Sequence, residues 1–304
     1  MKKTLLISVL LLSSFSVAFG QKKAKIFAKD VISKGNVFAS TFTPDGKTIY
    51  FCESTPDRKV ITIQYSELKK CRWTRPQRAS FSDTSKNTDP YISPDGKTMV
   101  FNSNRKRKND TTNYQFDIWI ARKTKEGWGE PENIELPVNT TNSESFATIA
   151  RNGNLYYGTR LPNSTTKQDI YRAKYNNGKY EIPERLDPIN TDGDEGNPFI
   201  EPNERFLIFS ALNRNDGFGD GDLYISFNEN GTWTVPQNMG NEVNTADSEF
   251  APTVSPNGKH LYFSRIKRPA GFSRQNPLNK KYVENENIYY ILLKDLTVFK
   301  NRKK

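Results

Sequence analysis

Asp89-Pro90-Tyr91-Ile92-Ser93-Pro94-Asp95-Gly96-Lys97-Thr98-Met99-Val100-Phe101 is the stretch that decides the fold of this chain. Pro94 has the fixed φ that suits the second position of a type I turn, and Asp95 tolerates the third. Gly96 accepts the left-handed conformation that closes a short loop. Runs rich in aromatic and β-branched residues flank the turn on both sides. The stretch therefore predicts a β-hairpin in which Gly96 has a positive φ.

The same hairpin recurs four more times. Residues Phe42–Phe51 and Val254–Phe263 are close copies, and residues Ile149–Tyr157 and Ile200–Phe209 are weaker ones. A spacing of 50, 57, 51 and 54 residues separates the equivalent turn positions, which are Pro44, Pro94, Arg151, Pro202 and Pro256. A period in this range indicates a repeat architecture.

Three further motifs repeat around the hairpin. A third strand opens with Asp117-Ile118-Trp119, Asp169-Ile170-Tyr171, Asp222-Leu223-Tyr224 and, more loosely, Asn287-Ile288-Tyr289. A fourth, whose proline suits an edge strand, is predicted at Trp73-Thr74-Arg75-Pro76, Trp128-Gly129-Glu130-Pro131, Tyr180-Glu181-Ile182-Pro183 and Trp233-Thr234-Val235-Pro236. Three units close on Val138-Asn139-Thr140, Ile189-Asn190-Thr191 and Val243-Asn244-Thr245. Four short strands in about 45–55 residues is the size of a propeller blade.

Together these motifs resemble the WD-like β-propeller repeats of the TolB type, which are common in bacterial envelope proteins. The resemblance covers roughly residues 36 to 295 and concerns turn and core positions, so it implies a fold more than an activity. It implies an all-β chain that forms a single β-propeller of four-stranded antiparallel blades. Counting the units gives five blades; the alternative of six, common in TolB-type propellers, would need a blade that the sequence does not show.

The N-terminal stretch Ala24 to Ile32 precedes the first hairpin and matches the end of a unit. The last unit, by contrast, stops after the strand Asn287 to Leu293. We therefore expect Ile26 to Ile32 to supply the outer strand of the last blade, which would close the ring and remove the open edges of a linear array.

Residues 1–20 have the features of a Sec signal peptide. Lys2 and Lys3 precede an apolar stretch from Leu5 to Val17, and Ala18-Phe19-Gly20 is a small-x-small cleavage site. No cysteine follows that site, so a lipoprotein anchor is not expected. Residues 21–304 should then form one soluble propeller domain, periplasmic or secreted and monomeric. Loss of the two lysines lowers the net charge from +11 to +9.

Composition excludes several other classes of function. No run after residue 20 has the length of a membrane helix. The single histidine, His260, and the two cysteines, Cys52 and Cys71, cannot build a zinc site without carboxylates, and no cofactor is expected. The predicted strand order separates the two cysteines by more than a disulfide allows. Export argues against a nucleic-acid partner.

One position combines repetition with chemical interest. Glu144, Glu195 and Glu249 fall at the same place in three units, just before the innermost strand, where Val37 and Asn87 stand in the other two. Innermost strands line the channel of a propeller, so these carboxylates could crowd one channel mouth and bind a cation or raise one another's pKa. The alternative is structural, with each glutamate accepting bonds from backbone N–H groups.

Two functions are consistent with these features. The first is a non-catalytic binding module of the cell envelope, which presents the loops of a rigid ring to an envelope protein, to peptidoglycan or to another glycan. The alternative is a five-bladed glycan-active enzyme that uses the clustered carboxylates, since glycosidases need two carboxyl groups at a defined separation. No motif names the partner. We take the binding module as the prediction.

Overall fold

The computed structural model describes residues 22–107, 115–160, 167–212, 214–268, 285–300 and 302. These residues form five repeated units of antiparallel strands, followed by a 3₁₀ turn at Leu293–Asp295 and a short α-helix at Thr297–Lys300. The expected all-β architecture is confirmed. No helix in this part of the chain has the length and hydropathy to cross a bilayer.

Each unit is built from a first, a second and a third long strand and a short outer strand. Unit one has Val37–Phe42, Thr48–Ser54, Ile61–Lys69 and Gln77–Arg78. Unit two has Asn87–Ile92, Thr98–Ser103, Asp117–Arg122 and Glu132–Asn133. Unit three has Glu144–Ile149, Leu155–Arg160, Gln168–Ala173 and Glu184–Arg185. Unit four has Asp194–Ile200, Phe206–Leu212, Gly221–Glu229 and Gln237–Asn238, and unit five has Ser248–Val254, His260–Ile266 and Glu286–Leu292.

The strand beside the third strand of unit five comes from the N-terminus of the described chain. Lys25–Ile26 pairs antiparallel with it, Lys25 opposite Tyr290 and Ile26 opposite Tyr289. This strand is shorter than the predicted Ile26 to Ile32. After Phe27, whose N–H donates to the carbonyl of Ile288 at 2.8 Å, the chain leaves the sheet in tight turns.

The Pro-Asp-Gly turns are confirmed. Gly46, Gly96 and Gly258 have φ of 68°, 74° and 67°. In unit two the N–H of Gly96 donates to the carbonyl of Ser93 at 2.8 Å, and Asp95 Oδ1 accepts the N–H of Lys97 at 3.0 Å. The side chain of the aspartate thus closes the turn by accepting the backbone N–H two residues further on. We call the side of the molecule that carries these turns the turn face, and the opposite side, where the first strands begin, the front face.

The Trp-x-x-Pro motif does not form the outer strand as predicted. Trp73 and Trp233 lie in short hairpins, Arg72–Trp73 and Thr232–Trp233, that pair with the end of the third strand. The outer strand begins only after the proline, as in Gln77–Arg78. Proline therefore separates two short pairings with one third strand, because it cannot donate to either ladder.

The Val-Asn-Thr motif is a joint between consecutive units. The side chain of Asn190 accepts the N–H of Ile170 at 2.7 Å and donates to its carbonyl at 2.8 Å, so it latches onto the third strand of its own unit. Asn139 and Asn244 do the same to Ile118 and Leu223. The threonine that follows bonds to the first strand of the next unit, as described below.

Candidate functional site

All five first strands carry a β-bulge at the same place. The residue there has a positive φ in every unit, and the five are Ala39, Asp89, Phe146, Asn197 and Ala251. These residues meet around one narrow cavity of about 30 Å³, roughly the volume of one water molecule. We call this cavity the channel entrance. Bulges are common beside active sites because they re-aim a side chain.

Asp89 is the one carboxyl group among the described residues that line the channel entrance. Its Oδ2 accepts the hydroxyl of Thr88 at 2.7 Å, and its backbone N–H points to Cys52 Sγ at 3.1 Å. Its Oδ1 has no hydrogen-bond partner among the described residues. Burial raises the pKa of Asp89 to about 7, and the charge of Glu286 adds to the rise. The group can therefore hold a proton near neutral pH.

A second carboxyl group, Glu286, lies close enough to act on Asp89. Both of its oxygens bind Arg58 Nη2, at 2.6 and 2.5 Å. Burial raises the pKa of Glu286, although Arg58 opposes the change. The guanidinium of Arg58 also stacks 4.9 Å from the ring centre of Phe38, which lies 6.2 Å from Phe250. Aromatic rings and carboxyl groups thus share this end of the molecule.

Two of the three predicted glutamates are held by arginine. Glu195 accepts the hydroxyl of Thr191 at 2.6 Å and Arg214 Nη2 at 3.0 Å. Glu249 accepts the hydroxyl of Thr245 at 2.7 Å and Arg265 Nε at 2.6 Å. Both threonines end a Val-Asn-Thr joint, and each also donates its backbone N–H to Oε2 of the same glutamate at 3.1 Å.

The arginines are held in turn by aromatic rings. Arg214 lies 4.7 Å from the ring centre of Tyr224, and Arg265 lies 4.3 Å from that of Tyr289. Both rings belong to the Asp-Ile-Trp/Tyr motif, so two repeated motifs act on one carboxylate. Unit two has the same arrangement with Asn87 as acceptor, bonded by Arg105 at 2.8 Å.

Glu144 differs from the other two. Its Oε1 accepts the hydroxyls of Thr140 at 2.6 Å and Thr159 at 3.2 Å, and its Oε2 has no partner among the described residues. Burial raises the pKa of Glu144 to about 7 against these bonds. Burial also raises the pKa of Glu249 to about 7, although Arg265 and Thr245 oppose it.

We call Glu144, Glu195 and Glu249 the strand-start glutamates. The structure places all three at the front face, with no exposed surface, and each bonds to the threonine of the joint before it. They line neither the channel entrance nor the clefts described next, as far as the described residues define these. Their role as a binding site at the channel mouth stays a prediction.

Two large clefts lie on the turn face. The central one, of about 980 Å³, is bounded by the ends of the first strands and by the short C-terminal helix, and Glu201, Arg205 and Lys294 line it. The second, of about 680 Å³, lies between units two and three. Arg151 lines both. Volumes of this size suit ligands, but the central cleft contains only one carboxyl group among its described residues.

Sequence reasoning alone did not single out Asp89 or the arginines. A weak signal exists for Asp89, because an aspartate before a proline tolerates a left-handed bulge, and Asn197-Pro198 repeats the pattern. The arginines stand at different offsets from the second-strand aromatic residue, so no fixed spacing reveals them. Among the described residues, no group of three or more His, Cys, Asp and Glu side chains is arranged to hold a metal ion.

Solved structures with the same overall arrangement are β-propellers. A protein assigned as TolB from Agrobacterium tumefaciens has a TM-score of 0.51 at 15% identity, over 85% of this chain and 91% of that one. An α-L-arabinofuranosidase from Lactobacillus brevis has a TM-score of 0.52 at 16% identity, over 86% and 93%. A thermostable family-43 glycoside hydrolase has a TM-score of 0.55 at 12% identity, over 88% and 92%. The chain therefore has a propeller fold.

No protein-family model matches the sequence, and a search of curated proteins finds no match. The structural neighbours nevertheless correct one prediction. Besides the TolB protein, several of them are glycoside hydrolases. The prediction of a non-catalytic binding module is therefore wrong, and its alternative, a glycan-active enzyme, is the one that these neighbours favour.

Proposed function

We propose that this protein is a glycan-active enzyme that cleaves a glycosidic bond held over the channel entrance, because the cavity itself has the volume of about one water molecule and does not admit a sugar. The observation that carries the proposal is Asp89, a buried carboxyl group with a pKa of about 7 and one oxygen directed at no protein partner among the described residues. A carboxylic acid that stays protonated near neutral pH is the group that a glycosidase uses as its general acid. The propeller fold shared with glycoside hydrolases supports the proposal.

In this mechanism Asp89 donates its proton to the leaving oxygen. Burial keeps the pKa of that acid high; the charge of Arg58 opposes the rise, and the charge of Glu286 adds to it. A second carboxyl group has to act as base or nucleophile on the other side of the sugar. The strand-start glutamates are fully buried and do not line the channel entrance, so the second group is not one of them. The phenyl ring of Phe250, which is partly exposed, offers an apolar face at the same end of the molecule, and the buried ring of Phe38 packs beside it.

The test is hydrolysis of a panel of polysaccharides and aryl glycosides by residues 21–304. We expect Asp89→Asn to lower kcat about 100-fold or more, because asparagine keeps the shape of the side chain but cannot donate a proton as an acid. Asp45→Asn, a change in an exposed turn, is the matched control and should leave kcat unchanged. A panel without any hydrolysis, or equal activity of the two variants, contradicts the proposal.

We further infer that the propeller has five blades of the TolB repeat type and that the ring is closed by Lys25–Ile26. Two contacts support closure. The strand pairs with unit five, and Ala39 of unit one donates its N–H to Ser264 Oγ of unit five at 2.9 Å. The five bulge residues around one cavity support the count of five.

The expected location and partners also remain proposals. A signal peptide at residues 1–20 would place the mature chain, 21–304, in the periplasm or outside the cell, where glycans of the envelope are accessible. A glycan is then the expected partner class, and a monomer the expected state. N-terminal sequencing of the exported protein tests the cleavage after Gly20.

A further inference from the structure

Arg151 holds the turn position that proline occupies in the other four units. Its backbone N–H donates to the carbonyl of Pro202 at 2.7 Å, which ties the turns of units three and four together. The side chain is exposed, and its Nε lies 3.2 Å from Asn203 Oδ1. No carboxylate of the described residues pairs with it, so its positive charge is not offset where the two clefts of the turn face meet.

Positive charge dominates the central cleft. Arg151, Arg205 and Lys294 line it and are all exposed. The single carboxylate among its described lining residues, Glu201, accepts Arg205 Nη2 at 2.8 Å and two backbone N–H groups. Burial acts to raise the pKa of Glu201, but the bonds from Arg205 outweigh it and lower the pKa. That negative charge is therefore already neutralised, and the cleft has an excess of cations.

The second cleft offers an aromatic surface. Tyr175 is 44% exposed, and its ring centre lies 5.0 Å from that of Tyr180. The tyrosine rests on Gly153, where a Cβ atom would come within 2.8 Å of the ring. The backbone is therefore shaped to seat this side chain. Asn133 and Lys179 add polar groups to the same cleft. The two carboxylates among its described lining residues both have partners: Asp95 accepts the hydroxyl of Ser93 at 2.6 Å, and Glu132 lies 3.9 Å from Arg122.

We propose that the two clefts form one groove that binds an acidic oligosaccharide, with Arg151 contacting a carboxylate and Tyr175 stacking on a sugar ring. The groove lies on the turn face, away from the channel entrance. The proposal takes from the preceding one only that the ligand is a glycan. Carboxylates suit the guanidinium of Arg151, which can bind them through two parallel bonds.

A sugar fits the groove better than an acidic peptide does. Peptides that bind in an extended form are recognised by backbone hydrogen bonds along a strand edge. The groove is instead lined by turns, by Tyr175 and by the side-chain amides of Asn133, Asn203 and Asn257, which can bond to hydroxyl groups. An aromatic face beside such groups is suited to one side of a sugar ring.

The test is calorimetric titration of residues 21–304 with tetragalacturonate at low salt. We expect binding that weakens about ten-fold in Arg151→Gln, since one charge-assisted bond is removed and the turn N–H is kept. Tyr175→Ser should weaken binding as well. Arg72→Gln, a change at an exposed arginine of unit one, is the matched control and should bind as the parent does.

Three results would contradict the proposed binding groove. The first is that the neutral tetramer of galactose binds as tightly as tetragalacturonate does, and the second is that Arg72→Gln weakens binding as much as Arg151→Gln does. The third is that hexaglutamate binds more tightly than tetragalacturonate. The two proposals fail separately, because Asp89→Asn should still bind tetragalacturonate with unchanged affinity. If the protein binds tetragalacturonate through Arg151 but hydrolyses no glycan, the proposed binding groove is supported and only the catalytic proposal is contradicted.

Discussion

At the scale of single residues, the buried carboxyl groups of the front face are held in different ways. Asp89 and Glu144 each have an oxygen without a partner among the described residues, and the pKa of each is about 7. Glu195 has two hydrogen bonds from Thr191 and one from Arg214. Asp89 and Glu144 therefore favour the protonated form, whereas Glu195 accepts hydrogen bonds through both of its oxygens. These differences lead to two predictions of opposite sign.

Replacing Asp89 by asparagine should change how stability depends on pH. The unfolded carboxyl group has a pKa of about 3.9, and the folded one about 7, so between these values the folded state binds more protons. The free energy of unfolding therefore falls as pH rises from about 4 to 7. Asp89→Asn should remove this fall and be more stable than the parent by about 1–3 kcal/mol at pH 8, with little difference at pH 4.

Urea denaturation at several pH values measures this effect. Asp45→Asn serves as the control because the pKa of Asp45 is lowered, chiefly by its bond from Thr43. The contribution of Asp45 is present above its unfolded pKa and disappears as pH falls, so its replacement should cost stability only at neutral pH. Parallel pH curves for the parent and Asp89→Asn would show that the pKa of Asp89 is not raised.

Glu195→Gln and Glu144→Gln form a matched pair. Removing the charge at Glu195 leaves the largely buried Arg214 without its carboxylate, which should cost about 1–3 kcal/mol. Glu144 accepts its bonds from two threonine hydroxyls and favours the neutral form, so Glu144→Gln should be neutral or stabilising at pH 8. Thermal melts of the two variants at pH 8 measure the difference. Equal destabilisation would mean that Arg214 does not decide the stability of the joint.

These residue-level properties could not be predicted from the sequence. The repeat alignment located Glu144, Glu195 and Glu249, but their burial and the arginine bonds depend on contacts between strands and joints. Arg214 is 19 residues from Glu195 and Arg265 is 16 residues from Glu249 along the chain. Only the fold brings each pair together, so no local pattern could separate the anchored glutamates from Glu144.

At the scale of the element, the hairpin turns were predictable because turn chemistry is local. Gly46, Gly96 and Gly258 share a positive φ but differ in their surroundings. A Cβ atom on Gly96 would lie 2.9 Å from Cγ of Pro44, in the turn of the neighbouring unit, whereas Gly46 and Gly258 face open space. The same motif therefore has different steric freedom in different units, which the sequence does not indicate.

This difference predicts unequal costs of substitution. Gly46→Ala and Gly258→Ala should each destabilise by about 1 kcal/mol through the positive φ alone. Gly96→Ala should destabilise by at least ~1 kcal/mol more, because the ring of Pro44 has to move. Midpoints of urea unfolding at constant m-value give the comparison. If Gly96→Ala costs no more than the other two, the turns of units one and two are not in contact.

The β-bulges could not be predicted from the sequence of a single strand. In unit two the left-handed residue, Asp89, directs its N–H to Cys52 Sγ of unit one, and in unit one Ala39 directs its N–H to Ser264 Oγ of unit five. In units one to three the bulge residue thus bonds to the second strand of the preceding unit, whereas in unit five Ala251 bonds to Asn197 in the first strand of unit four. Such a pairing between units has no signature within one strand, and the positive φ of alanine at two bulges goes against its own preference.

At the scale of the whole molecule, the two ends of the described chain meet. Phe27 follows the N-terminal strand and contacts rings of two units, with centre distances of 6.2 Å to Phe42 and 5.7 Å to Trp73 in unit one, and 5.1 Å to Tyr262 in unit five. The sequence predicted that this segment belongs to the last unit because the unit lacked a strand. It did not predict that a phenylalanine would pack between the first and last units.

Phe27→Ala should therefore destabilise the whole molecule. Removal of a largely buried phenyl ring costs about 3–5 kcal/mol, and the ring of Phe27 joins unit one to unit five. Phe218→Ala is the control, since Phe218 is 48% exposed and its replacement should change the free energy of unfolding by less than about 0.5 kcal/mol.

Deletion of residues 22–33 should also destabilise the protein and cause aggregation, because it uncovers the third strand of unit five. Calorimetry and size-exclusion chromatography measure both effects. A deleted chain that stays monomeric with an unchanged Tm would mean that the ring does not depend on its N-terminal strand, and the proposed closure would then be wrong.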